Sequence, residues 1–297
     1  MSSYGLSGAQ QRSNRLLRRR IVNRLMELLA WLAAAIAVAI LGVIVFSVAR
    51  RGAGALNLDL LTKVPVPFMP VKQGLANAFS GSLVIVGIAT LMTLPVGILV
   101  AIYLNEFARP SIRSGVSLAL DVLNGIPSIV LGIFVFGLIV VGRGQSALAG
   151  SFALATLMLP LVARSTMEVL ALVPNSLREA SLGLGVPRWR TTLSIVVPQT
   201  IGGIVTGTTL AVARISGETA PLLFTSSIVG NKVDWNPLHA LQTVPVAIFE
   251  LSESPSPDDH ARAWAAALVL LIFILFASLG SRWLATRNSR KLGGATR

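Results

Sequence analysis

PNSLREASLGLGVPRWRTTLSIVVP, residues Pro174 to Pro198, is a polar segment set between two runs too apolar for a soluble protein. Ser176 and Glu179 stand at the S-x-x-E spacing of a capping box, in which two side chains satisfy each other's orphan amides, so a short helix is expected to start here. Gly185 is placed to end that helix as a left-handed C′ residue. Pro187 suits the first turn of a second short helix, and Pro198 opens the next apolar run. Two short helices meeting at a corner make a rigid knob rather than a loose linker.

The flanking runs decide the class. The chain is 54% hydrophobic and 12% charged, with a mean hydropathy of +0.75. Six stretches approach or exceed the ~20 residues that cross a bilayer core: Leu28 to Val48, Ala78 to Leu104, Leu118 to Val141, Ala147 to Val162, Ile201 to Phe224, and Trp264 to Leu284. The fourth is short and expected to be broken at Pro160. Helices are the natural assignment, because in hydrocarbon every backbone amide must be satisfied within its own segment. Ten-residue alternating barrel strands are not visible. The expected fold is an all-α polytopic membrane bundle of six transmembrane helices: residues 27–285 as the membrane domain, 1–26 and 286–297 as basic tails.

The charges orient the bundle. With six spans the termini share a side with the loops around Arg109 and Glu179. That side carries sixteen of the 25 lysines and arginines: Arg12, Arg15, Arg18, Arg19, Arg20 and Arg24, then Arg109 and Arg113, then Arg178, Arg188 and Arg190, then Arg282, Arg287, Arg290, Lys291 and Arg297. The opposite side carries Arg50, Arg51, Lys63, Lys72, Arg143, Lys232 and Arg262. The positive-inside rule puts both termini in the cytoplasm. A net charge of +13 then reflects topology and anionic lipid headgroups, with no need for nucleic acid. The first apolar run, about 20 residues, exceeds a signal h-region and reads as a retained span. With no cysteine, disulfides and thiolate metal sites are excluded, and no other metal site is expected.

Outside the knob, VPVPFMP at Val64 to Pro70 forbids regular helix. The segment from Ser226 to Arg262 is acidic, and its LQTVPVAIF stretch is apolar enough to lie against the bundle. Pro127 is expected to kink span three, with Asp121, Asn124 and Ser128 nearby as pathway lining or, for Asp121, a polar helix start. Gly203 and Gly207 form a G-x-x-x-G pair for close helix approach, here assigned to packing, within the chain or against a partner membrane subunit. Trp264 and Trp283 bracket the last span at about 28 Å, and His239 and His260 read as surface residues.

Two arginines lie inside or at the edge of spans. Arg214 has Glu218 four residues on, a spacing that places both on one helix face if the helix continues. Arg164 follows Pro160. A charge at mid-bilayer costs roughly 2.5–3.5 kcal/mol on insertion scales and usually faces a cavity or the bundle interior. The guanidinium fork matches phosphate oxygens bidentately, so two such arginines can converge on one anion. An interhelix salt bridge for Arg214 and a snorkelling interface position for Arg164 remain the plainer alternatives.

The spacing Glu179-Ala180, six on to Gly185, ten on to Ile195 and three on to Pro198 resembles the EAA loop of ATP-binding-cassette importer permeases, with Ser181 in place of the second alanine. ARISGETAPLLF, VARSTMEVLALVPNSLREA and NGIPSIVLGIF resemble the PstA family of phosphate-importer permeases, over about Ser80 to Trp264. The resemblance implies a type I importer permease in a bacterial or archaeal inner membrane. It implies substrate-pathway roles for Arg164, Arg214 and Glu218, and ATPase coupling through Glu179, Ala180, Gly185, Ile195 and Pro198. The acid that often follows the first arginine by three residues is absent, since Met167 stands there and Glu168 comes one later, so Glu168 receives no role. The partners implied are a second, PstC-like permease, a PstB-like ATPase dimer, a PstS-like extracytoplasmic phosphate-binding protein and membrane lipids.

No G-x-x-x-x-G-K-[ST] occurs, so this chain has no P-loop of its own, no cofactor is expected in it, and ATP falls to partner subunits. H-E-x-x-H and G-x-S-x-G are also absent, which weighs against a membrane enzyme and leaves no catalytic residues to assign. A secondary anion transporter is the remaining alternative, as is a permease for sulfate or molybdate. The loop and the lack of a visible inverted repeat weigh against the former.

Overall fold

The computed structural model describes residues 4–65 and 74–293. Most of the VPVPFMP segment and Lys72 lie outside the described residues, as do the last four positions. The helices are α1 (Tyr4–Gly52), α2 (Leu58–Thr62), α3 (Ala76–Ile102), α4 (Pro110–Gly125), α5 (Ser128–Val135), α6 (Ala147–Ala171), α7 (Asn175–Gly183), α8 (Arg188–Thr191), α9 (Val197–Ile215), α10 (Ala220–Thr225), α11 (Val244–Glu253) and α12 (Pro257–Gly293). Three π-helical turns extend them, Tyr103–Phe107 after α3, Phe136–Val140 after α5 and Thr192–Val196 between α8 and α9. The basic ends continue the helices, α1 beginning at Tyr4 and α12 running to Gly293.

Residues 1–51 and 52–297 form two compact units. The first is α1 up to Arg51, whose large apolar side chains, Trp31, Val38 and Phe46 among them, are exposed. Such a helix is tolerable in lipid because its amides are bonded along its own length.

The second unit is organised around α6. In the most apolar stretch of α6 56% of residues are buried, against 22% in the corresponding stretches of α3, of α8 to α9 and of α12. Small residues let the neighbours close in on it. A Cβ on Gly97 of α3 would meet Val162 at 2.9 Å, one on Gly203 of α9 would meet Val169 at 2.4 Å, and one on Gly207 would meet Ser165 at 2.6 Å. The G-x-x-x-G pair thus packs within the chain, not on a partner. As the glycine number rises by four the α6 partner falls by four, so α6 and α9 run antiparallel. Between them Ile85, Leu154, Met158, Val162, Ile215 and Leu222 fill one apolar cluster. A second, with Leu104, Leu120, Met167, Leu170 and Val196, fills the end nearer the 174–198 loop.

Proline acts differently at each site. Pro160 is buried within α6 and does not end it, so the fourth span runs to Ala171, nine residues beyond its expected limit. Pro127 does more than kink the third span. Ile126 and Pro127 are both extended (ψ 128° and 131°), as the ring forces on the residue before it, and α4 and α5 meet at 96°. The fifth span is not one helix either: α9 stops at Ile215 and α10 starts at Ala220. Five helices among the described residues are long and apolar enough to cross a membrane, and the bent α4–α5 pair supplies a sixth passage if counted as one.

At the far end from the loop, residues 226–253 fold onto the bundle. The carbonyls of Thr225, His239 and Pro237 accept from the amides of Ser146, Ala147 and Leu148, which the start of α6 otherwise leaves orphaned. LQTVPVAIF does lie against the bundle, with Val244 and Ala247 buried beside Ala265 and Ala266 of α12. Gln242 bridges Asn77 (3.2 Å) and Glu250 (2.5 Å). Burial pushes the Glu250 carboxyl above its usual range, partly offset by the Gln242 hydrogen bond. His239 and His260 are exposed, the former paired with Asp234 at 2.7 Å.

The glycine contacts predict that Gly203→Leu destabilises the chain by about 1–3 kcal/mol or more, the cost of overpacking. Gly87→Leu in α3, where an added Cβ meets nothing, serves as the control. Thermal unfolding in detergent measures both, and equal stability of the two variants would contradict the packing assigned here.

Candidate functional site

The 174–198 loop is built by backbone geometry. Gly185 has φ +76°, its amide donates to the Leu182 carbonyl (2.9 Å), and the Val186 amide donates to that of Ser181 (3.2 Å). With Leu184 as C-cap these bonds form a Schellman motif, so Gly185 ends α7 as expected. The capping box does not form: α7 starts at Asn175 after Pro174, without a side-chain cap. With Ser176 inside the helix its hydroxyl has left the capping position. Pro187 is the residue before α8, not in its first turn. The second helix is no separate piece, since α8, the π turn and α9 run on continuously. The π turn Thr192–Val196 precedes Pro198, whose ring otherwise meets the carbonyl four residues back. Ile195 lies half-buried in that π turn, and Pro198 in the first turn of α9. Ser181, the residue that departs from the EAA pattern, is buried and shares a 2.8 Å hydrogen bond with Thr191, locking α7 to α8.

Glu179, Ala180 and Gly185 face outward with Leu184 and Trp189, which are 84% and 59% exposed. Behind this face is a pocket of about 430 Å³ lined by Asn105, Glu106, Arg113, Asn175, Arg178, Glu179, Arg188 and Thr192, with neither Arg164 nor Arg214 in its wall. Arg178 holds it together. Nε and Nη2 reach the two oxygens of Glu106 at 3.1 and 2.8 Å, Nη1 donates to the Val173 carbonyl (2.6 Å) and to Asn175 Oδ1 (3.3 Å), and Nη2 donates to the Leu170 carbonyl (3.0 Å). The side chains of this pair are 17% and 9% exposed. Removing one partner of so buried a pair costs about 3–5 kcal/mol.

The two arginines expected to meet substrate sit at different depths. By the antiparallel register Arg164 is level with Thr208, six residues, or about 9 Å, along the axis from Arg214. Arg164 is not a snorkelling residue. Its Nη2 pairs with Asp121 Oδ2 at 2.5 Å and donates to the Ser117 carbonyl at 2.8 Å, clamping α4 to α6. Asp121 is therefore no helix start, lying in the last half of α4. Nε and Nη1 of Arg164 make no hydrogen bond among the described residues, so their N–H groups remain available to an incoming oxyanion. The side chains are 34% and 61% exposed in the isolated chain, so this pair is held less firmly than a buried one.

Arg214 and Glu218 do not share a helix face. The helix ends at Ile215, a turn through Ser216 and Gly217 intervenes, and Glu218 lies in the connection to α10. The two side chains make no ion pair, and Arg214 is exposed. Glu168 is exposed while Met167 faces the core. Asp121 was read from sequence only as a polar group near Pro127, and Arg178 and Glu106 were given no role. The signal available for Arg178 was a cation in the first turns of a short helix, where the macrodipole disfavours it unless acceptors hold it.

The fold and the projecting loop define a membrane-embedded transport component. Residues 93–290 match the family described as binding-protein-dependent transport system inner membrane component. A chain of the MetNI methionine ABC transporter in an inward-facing conformation aligns with TM-score 0.61 and 16% identity, over 72% of this chain and 95% of that one. The phosphate transport system permease protein PstA of Xylella fastidiosa is 41% identical, over 91% of this chain and 95% of its own. The protein of the same name from Haemophilus influenzae is 40% identical over 89% and 94%, and PstA 1 of Mycobacterium tuberculosis 40% over 73% and 72%. The chain belongs to this inner-membrane component family and, within it, to the PstA permeases.

Two outcomes follow from the geometry. Gly185→Val places a β-branched residue in the left-handed region, at about 1–2 kcal/mol, with no side-chain clash to confuse the effect. Substrate-stimulated ATP hydrolysis of the assembled complex should fall in Gly185→Val and survive in Gly185→Asn, which tolerates that region. Normal coupling in the valine variant would refute the role of this turn. Asp121→Asn is expected to change thermal stability by no more than about 1 kcal/mol, whereas a loss above about 3 kcal/mol would class its pair with buried structural ones.

Proposed function

We propose that this chain is the permease subunit of an ATP-driven phosphate importer, forming half of the translocation pathway and taking its drive from a separate ATPase. The observation that carries the reading is the 174–198 loop. It is an outward-facing knob with exposed Leu184 and Trp189, fixed internally by the Ser181–Thr191 bond and tied to the bundle by Arg178. Such a rigid, partly apolar projection suits docking to a partner whose own closure must be felt in the membrane. The names of the 40%-identical relatives favour phosphate as the cargo.

The machine proposed is this chain beside a PstC-like permease, above a PstB-like ATPase dimer that binds the ATP, and below a PstS-like phosphate-binding protein, in a bacterial or archaeal inner membrane. The bias of lysines and arginines supports cytoplasmic termini and a cytoplasmic loop. Arg164 and Arg214, at two depths, would offer successive guanidinium contacts to a passing oxyanion. Glu218, close beyond Arg214, would oppose its retention. Staggered cations suit passage better than one deep anion trap, since binding must be weak enough to leave.

Arg214→Gln keeps hydrogen-bonding capacity and removes the charge. It is expected to abolish most uptake of labelled phosphate while membrane insertion and assembly persist. Glu218→Gln is expected to slow release or loosen selectivity instead. Uptake is measured in cells lacking other phosphate importers and normalised to assembled complex. Near-normal uptake in Arg214→Gln, or in the double variant, would overturn the substrate-contact role. Co-purification with an ATP-binding-cassette subunit separates this reading from a secondary anion transporter, and labelled sulfate or molybdate uptake separates the cargoes.

A further inference from the structure

We propose that Arg178 is the positioning residue that carries motion of the docking loop into the substrate pathway, acting on the end of α3 through Glu106, on α6 through the Leu170 carbonyl and on the link after α6 through the Val173 carbonyl. The proposal rests on the importer reading and names a mechanical part within it.

All five N–H groups of the Arg178 guanidinium are engaged, and their acceptors lie on three different elements. One acceptor, the Leu170 carbonyl, lies in the last turn of α6, and another, the Val173 carbonyl, lies in the short link between α6 and α7. Another two are the oxygens of Glu106, fixed in turn by Asn105 Nδ2 at 2.8 Å. Glu106 projects from a π turn, where the local register departs from that of the α-helical span below. Arg178 therefore acts as a rigid bracket, since a planar fork satisfied at every donor has no alternative rotamer of equal energy. Lysine has neither the planarity nor the number of donors to replace it.

The bracket lies at the back of the surface a partner would push. Arg178 points inward from α7 while its neighbours Glu179 and Ala180 point out. A nine-residue helix has no core of its own, so force on its outer face reaches the bundle through its anchors. From Leu170 to Arg164 is six residues along α6, or about 9 Å, and Arg164 clamps Asp121 on α4. Because α3 and α6 are interlocked at Gly97 and Val162, a displaced bracket moves both together relative to α4. The Arg164–Asp121 contact is the weak joint at which that motion opens or closes.

The test uses the whole importer in proteoliposomes with ATP and the phosphate-binding protein, comparing wild type, Arg178→Lys and Glu106→Gln. Phosphate imported per ATP hydrolysed, and stimulation of hydrolysis by loaded binding protein, are both normalised to assembled complex. Both variants are expected to hydrolyse ATP with the transport ratio reduced about fivefold or more. A wild-type ratio in the assembled variants overturns the proposal, and so does a reduced amount of complex whose ratio is unchanged, since that is a structural role only. A wild-type complex that does not respond to phosphate-loaded binding protein would instead remove the importer reading, and this proposal with it.

Discussion

Everything else in the second unit depends on how closely α3 and α9 approach α6. Lipid tails are as apolar as the side chains they replace, so helix association in a bilayer rests on packing. Gly97, Gly203 and Gly207 remove the side chains that would hold the backbones apart, and Val162, Ser165 and Val169 of α6 fill the space. That contact fixes the rotation of α6, and the rotation fixes its function. Val162, Met167 and Leu170 face the core, Arg164 meets α4, and the Leu170 carbonyl meets Arg178. A single central helix thus touches both the Arg164–Asp121 contact and the 174–198 loop.

The two ion pairs of the loop half divide the work by burial. Glu106–Arg178 is largely buried, bidentate and surrounded by further acceptors, as a fixture should be. Asp121–Arg164 is more exposed in the isolated chain and rests on a single nitrogen, Nη2. The same chemical pairing is held more firmly in one place than in the other, and burial makes the difference.

Departures from regular helix cluster where the chain changes task. The π turns at Tyr103–Phe107 and Thr192–Val196 both border the loop pocket. The break at Pro127 separates α4, which carries Asp121, from α5, which lies against α10 through Gly132 and Pro221 and an edge-to-face Phe136–Phe224 contact at 6.5 Å. The turn at Ser216 and Gly217 likewise detaches Glu218 from the helix of Arg214. Asp121 and Glu218 are thus mounted on segments whose directions are set independently of the neighbouring helices, which one straight span does not permit.

The amino-acid sequence by itself determined that the chain is a helical membrane protein, roughly where its apolar spans lie, and that Gly185 turns a corner in a projecting loop. These are properties of composition and local backbone preference: apolar length, the glycine-only left-handed region and the pattern of the knob. Arg164, Arg214 and Glu218 were likewise visible as charges where charges are costly. Tertiary structure decided which of these charges are paired, because pairing is made across elements distant in sequence: Arg164 finds Asp121 on α4, and Arg178 finds Glu106 beyond α3. It also decided what each proline does. Pro160 leaves α6 whole among its buried neighbours, while Pro127 turns the chain through 96° between α4, packed on α6, and α5, packed on both α10 and α6. The ring removes the same hydrogen bond in both places, and the surrounding contacts determine whether the helix survives the loss.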